Sequence, residues 1–576
     1  MCKHALCEHG NEKPAAPSLA GTVRGWMQAL LPLVLLLALP LFARQWVPLV
    51  WQVAVLCVFL AWIVGRALNC PSVQIPLGQR KDLAADPEHQ AWVARAAEAR
   101  LQIAERLGQA IRLQTVSYEK PSPTTGDASE GKSASSSLAP PAPRTDPAPF
   151  LALHALLASN YPLVHKHLER TVINEYSLVF HWRSVAEQRK TVTPPKPILL
   201  IAHLDVVPVP DAHLWSADGG SPFSGKILDG QFVCGRGAID DKHAVCGLLE
   251  AVEDLLAAGH EPARDIYLAF GHDEEVSGND GAKHIAAWFA SKQLSFEWML
   301  DEGLFVMSGM VPGVKDPVAM VCVAEKGFLV SEYKVSVPAA LAGHASTPNR
   351  ESAIGILARA LVAMESNPCP SYLTPGSPVR LMFESVASHA TFGFRLLFAN
   401  LAVFAPLLKL VLSMKNTTAT LIRTTTALTV VHAGSKANAV PREATALINH
   451  RIHPDDSVAG VLAYSNAVVR DERVRIRALD SIAPAPVSSS RCAGFLTIQR
   501  ALARTMPDVL VSPAMMVGNT DTHHYWSLVQ DIFRFSPTRL NGRTITMFHG
   551  VDERINIDNY LEVVGFFRNV IKMSDE

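Results

Sequence analysis

Two apolar runs dominate the start of the chain. Residues Met27 to Ala43 and Trp46 to Gly65 are almost wholly hydrophobic, interrupted only by Arg44 and Gln45. The second run has roughly the 20-residue length that a helix needs to cross the hydrocarbon layer. Trp46, Trp51 and Trp62 suit the membrane interface and Arg66 supplies a polar stop. The pattern predicts a tail over residues 1–26 and at least one transmembrane helix within residues 27–65; whether there are one or two spans stays open. From Pro71 to Arg112 the chain turns polar, with Ala, Leu and Ile at helical spacing among charges, so a surface helix follows the anchor. Lys120 to Pro149, rich in Pro, Ser and Ala and without an apolar period, reads as a disordered insertion. From Phe150 onward, short apolar runs such as Pro197–Ala202 and Asp265–Phe270 alternate with helical stretches such as Asp241–Ala258 and Gly281–Ser291. That alternation predicts an α/β class with a mixed, mainly parallel sheet flanked by helices, and ligand sites beyond the carboxyl ends of strands.

Length and charge narrow the picture. At 576 residues the chain exceeds what one hydrophobic core usually supports. Lys plus Arg number 52 against 53 acidic residues, so nothing argues for a nucleic-acid partner, and a small-molecule or peptide ligand is expected. Nine cysteines are too sparse and irregular for a disulfide framework. The run Cys2, His4, Cys7, His9 has metal-binding residue types but no second half-site, so it is read as a terminal segment.

The chemistry concentrates at four strand ends. His203-Leu-Asp205 follows PILLIA, Asp240-Asp241 follows GRGAI, Glu274-Glu275 follows the DIYLAF strand, and Asp301 follows FEWML. Each alone is a weak signal, but together they offer the imidazole and carboxylates that hard divalent ions take, with enough donors for a two-metal site. Asp205 is placed to accept a hydrogen bond from the imidazole and orient His203. Adjacent side chains on extended backbone point opposite ways, so one member of the Glu274-Glu275 pair is expected to face a metal and the other the attacking water.

The strings HLDVVPV, PFSGKILDGQFVCGRGAIDDK, LAFGHDEEVSGNDGA, LDEG, GHASTP, NAVP, GNTDTHHYW and FHGVDERI resemble metallopeptidase family 20, in the branch of carboxypeptidase S and the N-fatty-acyl-amino-acid hydrolases. The resemblance implies a catalytic domain in two parts, residues 82–326 (with 120–149 as the insertion) and 487–576, interrupted by a smaller α+β lid of the dimerisation type at 327–482. It implies two divalent ions, zinc by family habit. His203 and Asp301 become terminal ligands of one, Glu275 and His549 of the other, and Asp240 the bridge across a cis peptide to Asp241. Glu274 becomes the general acid/base and His344 the group that polarises the substrate carbonyl, in some relatives from a partner subunit. Asn438 and Arg451 become holders of the substrate carboxylate, a task that suits an Arg fork. Within the lid, the apolar stretch Phe392 to Met414 is expected to form helices packed on the lid sheet, or else to receive an acyl chain or rest on a bilayer.

The implied reaction is hydrolysis of a peptide or N-acyl amino acid by metal-activated water, as a carboxypeptidase or amidohydrolase. A dipeptidase or aminopeptidase needs an acidic clamp for an ammonium group instead of Arg451, and a non-catalytic membrane receptor needs lost ligands. A lid that pairs two copies, a membrane location, and a catalytic domain on the lumenal, vacuolar or extracellular side complete the expectations.

Overall fold

The structure, a computed structural model, describes residues 49–119, 145–185, 195–216 and 220–575. Eight strands form the main sheet: β1 (Glu169–Ile173), β2 (Ser177–Trp182), β3 (Ile198–His203), β4 (Ile266–Gly271), β5 (Phe296–Ser308), β6 (Val318–Glu325), β7 (Leu510–Met516) and β8 (Val529–Asn541). Their order across the sheet is β1-β2-β4-β3-β5-β8-β6-β7. The sheet is mixed: β3 runs parallel to β4 and β5, and β8 to β5, whereas β1, β2 and β4 pair antiparallel. Every residue of β3 and of β4 is buried, which is why both read as unbroken apolar runs rather than alternating ones. The helices Lys242–Ala257, Ala493–Thr505 and Ile557–Met573 contribute to the larger core beside the sheet. Helix Ala282–Ser291 helps form a second cluster with Leu199, Tyr267 and Met299.

A separate four-stranded antiparallel sheet, in the order Thr425–Ala433, Glu443–Ile452, Gly327–Ser336, Val474–Ile482, lies between the two halves in sequence. Strands Gly327–Ser336 and Glu443–Ile452 bury alternate residues, the signature of a sheet covered on one face. Helix Ala353–Ser366 covers that face through Ile356, Leu357, Ala360 and Met364.

Two expectations change, and the transmembrane one falls largely outside the described residues. Met27–Ala43 and the residues up to Pro48 lie outside the described residues; the rest of the second apolar run is the helix Leu49–Leu68. No single helix among the described residues is long and apolar enough to cross a membrane, the part considered, Val53–Leu68, being too short, although the bent pair Phe392–Phe398 and Leu401–Ser413 passes together at an angle of 107°. Most of the expected insertion is likewise outside the described residues, but Ala148 and Pro149 already belong to helix Ala148–Asn160. The pair Phe392–Phe398 and Leu401–Ser413 does not bury its side chains on the lid sheet: Phe398, Leu401, Leu408 and Leu412 share a core with Val318, Met320, Leu510 and Ala514 of the main sheet. The mixture of apolar residues was readable from sequence, but not which of two sheets they meet.

Helix Ala493–Thr505 sits so close to the main sheet that a Cβ on Gly494 meets Trp298 Cγ at 2.5 Å and Phe533 Cε2 at 2.8 Å. Gly494→Ala is therefore expected to lower stability by about 1–3 kcal/mol through overpacking, read as a lower midpoint in urea unfolding; an unchanged midpoint contradicts the tight approach.

Candidate metal centre

His203 ends β3 and is buried, with Nε2 3.0 Å from Asp240 Oδ1. The other oxygen of Asp240 lies 2.6 Å from His549 Nε2, so this carboxylate sits between two imidazoles. His549 Nε2 is also 3.4 Å from Glu275 Oε2. On the other side of His203, Nε2 stands 3.7 Å from Glu302 Oε1. Two donor groups emerge, His203 with Asp240 and Glu275, and His203 with Glu274 and Glu302, each with ligand atoms within 4.8 Å of one another. Imidazole nitrogen and carboxylate oxygen are the donors of zinc and related divalent ions.

The scaffold behind these donors is specific. Asp205 Oδ1 accepts from the backbone N–H of Glu274 at 3.1 Å and Oδ2 from that of Glu275 at 3.2 Å, and Oδ1 is 3.3 Å from His203 Nδ1. Asp205 thus orients the imidazole mainly through its backbone carbonyl, 3.0 Å from His203 Nδ1, while its buried carboxylate pins the Glu274-Glu275 turn. The peptide between Asp240 and Asp241 is cis. Behind that loop stands Glu553, wholly buried: Oε1 accepts from the backbone N–H groups of Gly237 (3.0 Å) and Ile239 (2.6 Å), and Oε2 from Arg236 Nη1 at 2.5 Å. Glu553 lies within the FHGVDERI string, and no role was read for it from sequence. Its spacing of four residues from His549 was the available signal: one short segment supplies a donor and the support of the loop that carries Asp240.

Asp301 does not join the donor groups. Its Oδ1 accepts from the backbone N–H of Glu302 at 2.8 Å, and Oδ2 is buried without a partner. The strand does not end at Asp301: β5 continues to Ser308, with a register irregularity against β8 between Asp301 and Leu304. With Asp301 opposite Arg534 in the sheet register, it is Glu302 that approaches His203.

The charge balance favours a cation. Burial and then neighbouring carboxylates push Glu274 and Asp301 well above the usual carboxylate range, and Glu275 to about 7. Burial also acts to raise Asp240, but the imidazoles of His203 and His549 outweigh it and hold the carboxyl below that range. Glu275 Oε1, like Asp301 Oδ2, is buried with no hydrogen bond. Crowded acidic groups with an orphaned oxygen fit bound divalent ions, whose charge reverses this repulsion.

The residues expected to meet the substrate divide between two places. His344 and Asn438 are exposed and adjacent, because His344 pairs with Ala439 and Ala345 N–H donates to the Asn438 carbonyl at 3.0 Å. His344 Nδ1 is 2.7 Å from Ser346 Oγ, and the ring takes no part in the buried donor groups. Arg451 is elsewhere, half-buried on strand Glu443–Ile452, its guanidinium 5.2 Å from the Phe328 ring and donating to Asn519 Oδ1. Asn519 in turn donates to the Lys326 carbonyl at 2.7 Å. Asn519, in the GNTDTHHYW string, was not singled out from sequence, and it joins Arg451 to the main body.

A profile described as Peptidase family M20/M25/M40 matches residues 199–573. The chain belongs to this family. Its members here include "Probable carboxypeptidase S-like 2" of Dictyostelium discoideum, 43% identical over 430 residues, covering 74% of this chain and 80% of the relative. "N-fatty-acyl-amino acid synthase/hydrolase PM20D1.1" of Danio rerio is 40% identical over 382 residues, covering 66% and 73%. Among solved structures, an M20 family metallo-carboxypeptidase from Sulfolobus solfataricus superposes with a TM-score of 0.52 at 16% identity, covering 81% of this chain and 98% of that one. Human carnosine dipeptidase 1 gives 0.53 at 12% identity, covering 84% and 98%. These two establish the M20 fold, and family membership makes the chain a metal-dependent hydrolase.

Geometry separates the neighbours Asp301 and Glu302. Glu302→Gln is expected to reduce bound metal measured by mass spectrometry of the purified protein, whereas Asp301→Asn retains it; the reverse pattern returns the ligand role to Asp301.

Proposed function

We propose that this chain hydrolyses the amide bond between an acyl or peptidyl group and an amino acid with a free carboxylate, using two divalent ions, zinc by the donor set. The observation that carries the reading is the pair of donor groups sharing His203, one holding Asp240 and Glu275 and the other Glu274 and Glu302. The printed names of the relatives, carboxypeptidase S-like and N-fatty-acyl-amino acid synthase/hydrolase, support the substrate class.

In this reading Asp240, between the two imidazoles, would serve both ions, with His203 and Glu302 as the further residues that would hold one and Glu275 and His549 the other. Bound there, such ions supply Lewis acidity, bringing the pKa of water toward about 7 and polarising a carbonyl. Glu274, held by the Asp205 clamp on its backbone, takes the proton from the attacking water and returns it to the leaving nitrogen. His344 adds its imidazole to the developing oxyanion from the lid, and Arg451, backed by Asn519, receives the substrate carboxylate, with Asn438 beside His344 as a further hydrogen-bond donor.

Two measurements test these assignments. Glu274→Gln preserves shape but cannot accept a proton, so kcat should fall by about 10²–10⁴-fold with metal content unchanged; loss of metal from this variant reverses its role with Glu275. Arg451→Ala should weaken binding of acyl amino acids by roughly 1.5–3 kcal/mol, and the wild type should discriminate against the corresponding carboxamides. Equal turnover of acid and amide substrates removes the carboxylate-recognition reading.

A further inference from the structure

Helix Leu49–Leu68 is apolar along its length, yet Val53, Val55, Val58, Leu60, Trp62 and Leu68 are each 46–70% exposed. Among its described side chains, residues 53–68, only Ile63 and Ala67, one turn apart, are buried. They mark where it meets the bent pair of helices: Asn400 Nδ2 donates to the Ile63 carbonyl at 3.1 Å, and helix Phe392–Phe398 packs beside it. The attachment is continued by Gln74, whose side chain donates to the Ser385 and Val511 carbonyls and accepts from the Val511 N–H. The second arm, Leu401–Ser413, buries Leu401, Leu408 and Leu412 against the body and leaves Leu407, Leu410, Val411 and Met414 exposed by 51–81%. Those four recur at three- and four-residue intervals, so they form one outward stripe.

A helix that is hydrophobic all round and still exposed lacks its solvent. The charges near this surface identify that solvent. Between Glu12 and Asp82, and again between Glu384 and Glu443, the sequence holds no acidic residue, while Arg66, Arg395, Lys409 and Lys415 stand within or beside the apolar elements. A second copy covering the face would set these cations against each other, with Asp316, 3.8 Å from His389, as an acidic group at its border. An anionic lipid surface is complementary to them, and long basic side chains reach headgroups while their stems lie in the acyl boundary. The chain preceding the helix is itself apolar over Met27–Ala43.

We propose that helix Leu49–Leu68 and the pair Phe392–Phe398 and Leu401–Ser413 together form a face that lies in the interface of an anionic bilayer, so that the body is held by a lid-derived element as well as by its N-terminus. The bend of 107° makes the pair an interfacial wedge rather than a straight span.

The test uses the full chain in phosphatidylcholine vesicles, with and without phosphatidylserine, containing a phospholipid with a photoactivatable acyl chain; adducts are mapped by mass spectrometry. Adducts are expected on Leu407, Leu410, Val411 and Met414 as well as on residues 53–64, with a higher yield when phosphatidylserine is present. Val172, exposed on β1 at the opposite edge of the main sheet, should remain unlabelled. In full-length Leu410→Glu/Val411→Glu the adducts on the wedge should be lost while those on residues 53–64, the metal content and turnover of a water-soluble acyl amino acid persist. A wild-type wedge free of lipid adducts, or crosslinked instead to a second copy, overturns the proposal, as does unchanged labelling of the wedge in the double variant. None of these lipid readouts depends on which amide the enzyme cuts.

Discussion

The constraint on which the rest of the centre depends is the concentration of negative charge beside His203. Asp240, Glu274, Glu275, Asp301 and Glu302 converge there, most of their side chains shielded from water. Carboxylates so close cannot all ionise unless cations intervene, because buried charge without a partner is costly. The protein supplies two imidazoles from within, His203 and His549, and both lean on Asp240. The remaining positive charge has to come from outside. The fold is therefore organised to hold repelling groups still until it arrives: Asp205 pins one turn, Glu553 pins another, and neither donates an atom to the candidate ligand groups.

The sequence showed where strands end and what stands there, and for His203, Asp240 and Glu275 that sufficed to place them in one neighbourhood. At Asp301-Glu302 the sequence left the choice of donor open to geometry, because the apolar run FEWML suggested a strand end where β5 continues to Ser308. Along a continuing strand, the facing side chain is decided by register, and register depends on Arg534 of β8, more than two hundred residues away. Glu553 and Asn519 escaped notice for a related reason: each acts on backbone or on another side chain distant in sequence, and nothing in their immediate surroundings indicates the partner.

The apolar stretch Phe392 to Met414 teaches a different lesson. Its composition was legible, its location was not. Helix packing uses whichever apolar surface is near, and here Phe398, Leu401 and Leu408 join the core that also contains Ile239 and Phe548, the residues next to Asp240 and His549. The outward stripe and the metal centre consequently border one hydrophobic cluster.

The separation of the donors along the chain has a consequence for biosynthesis. His203 and Asp240 are made early, but His549 and Glu553 lie 248 and 252 residues beyond Asp301, close to the C-terminus. A ribosome-bound nascent chain has already exposed its apolar N-terminus and completed β1 to β6 while the last imidazole is still unsynthesised. The donor set is therefore completed only by the last part of the chain to be made, which also carries the core helix Ile557–Met573.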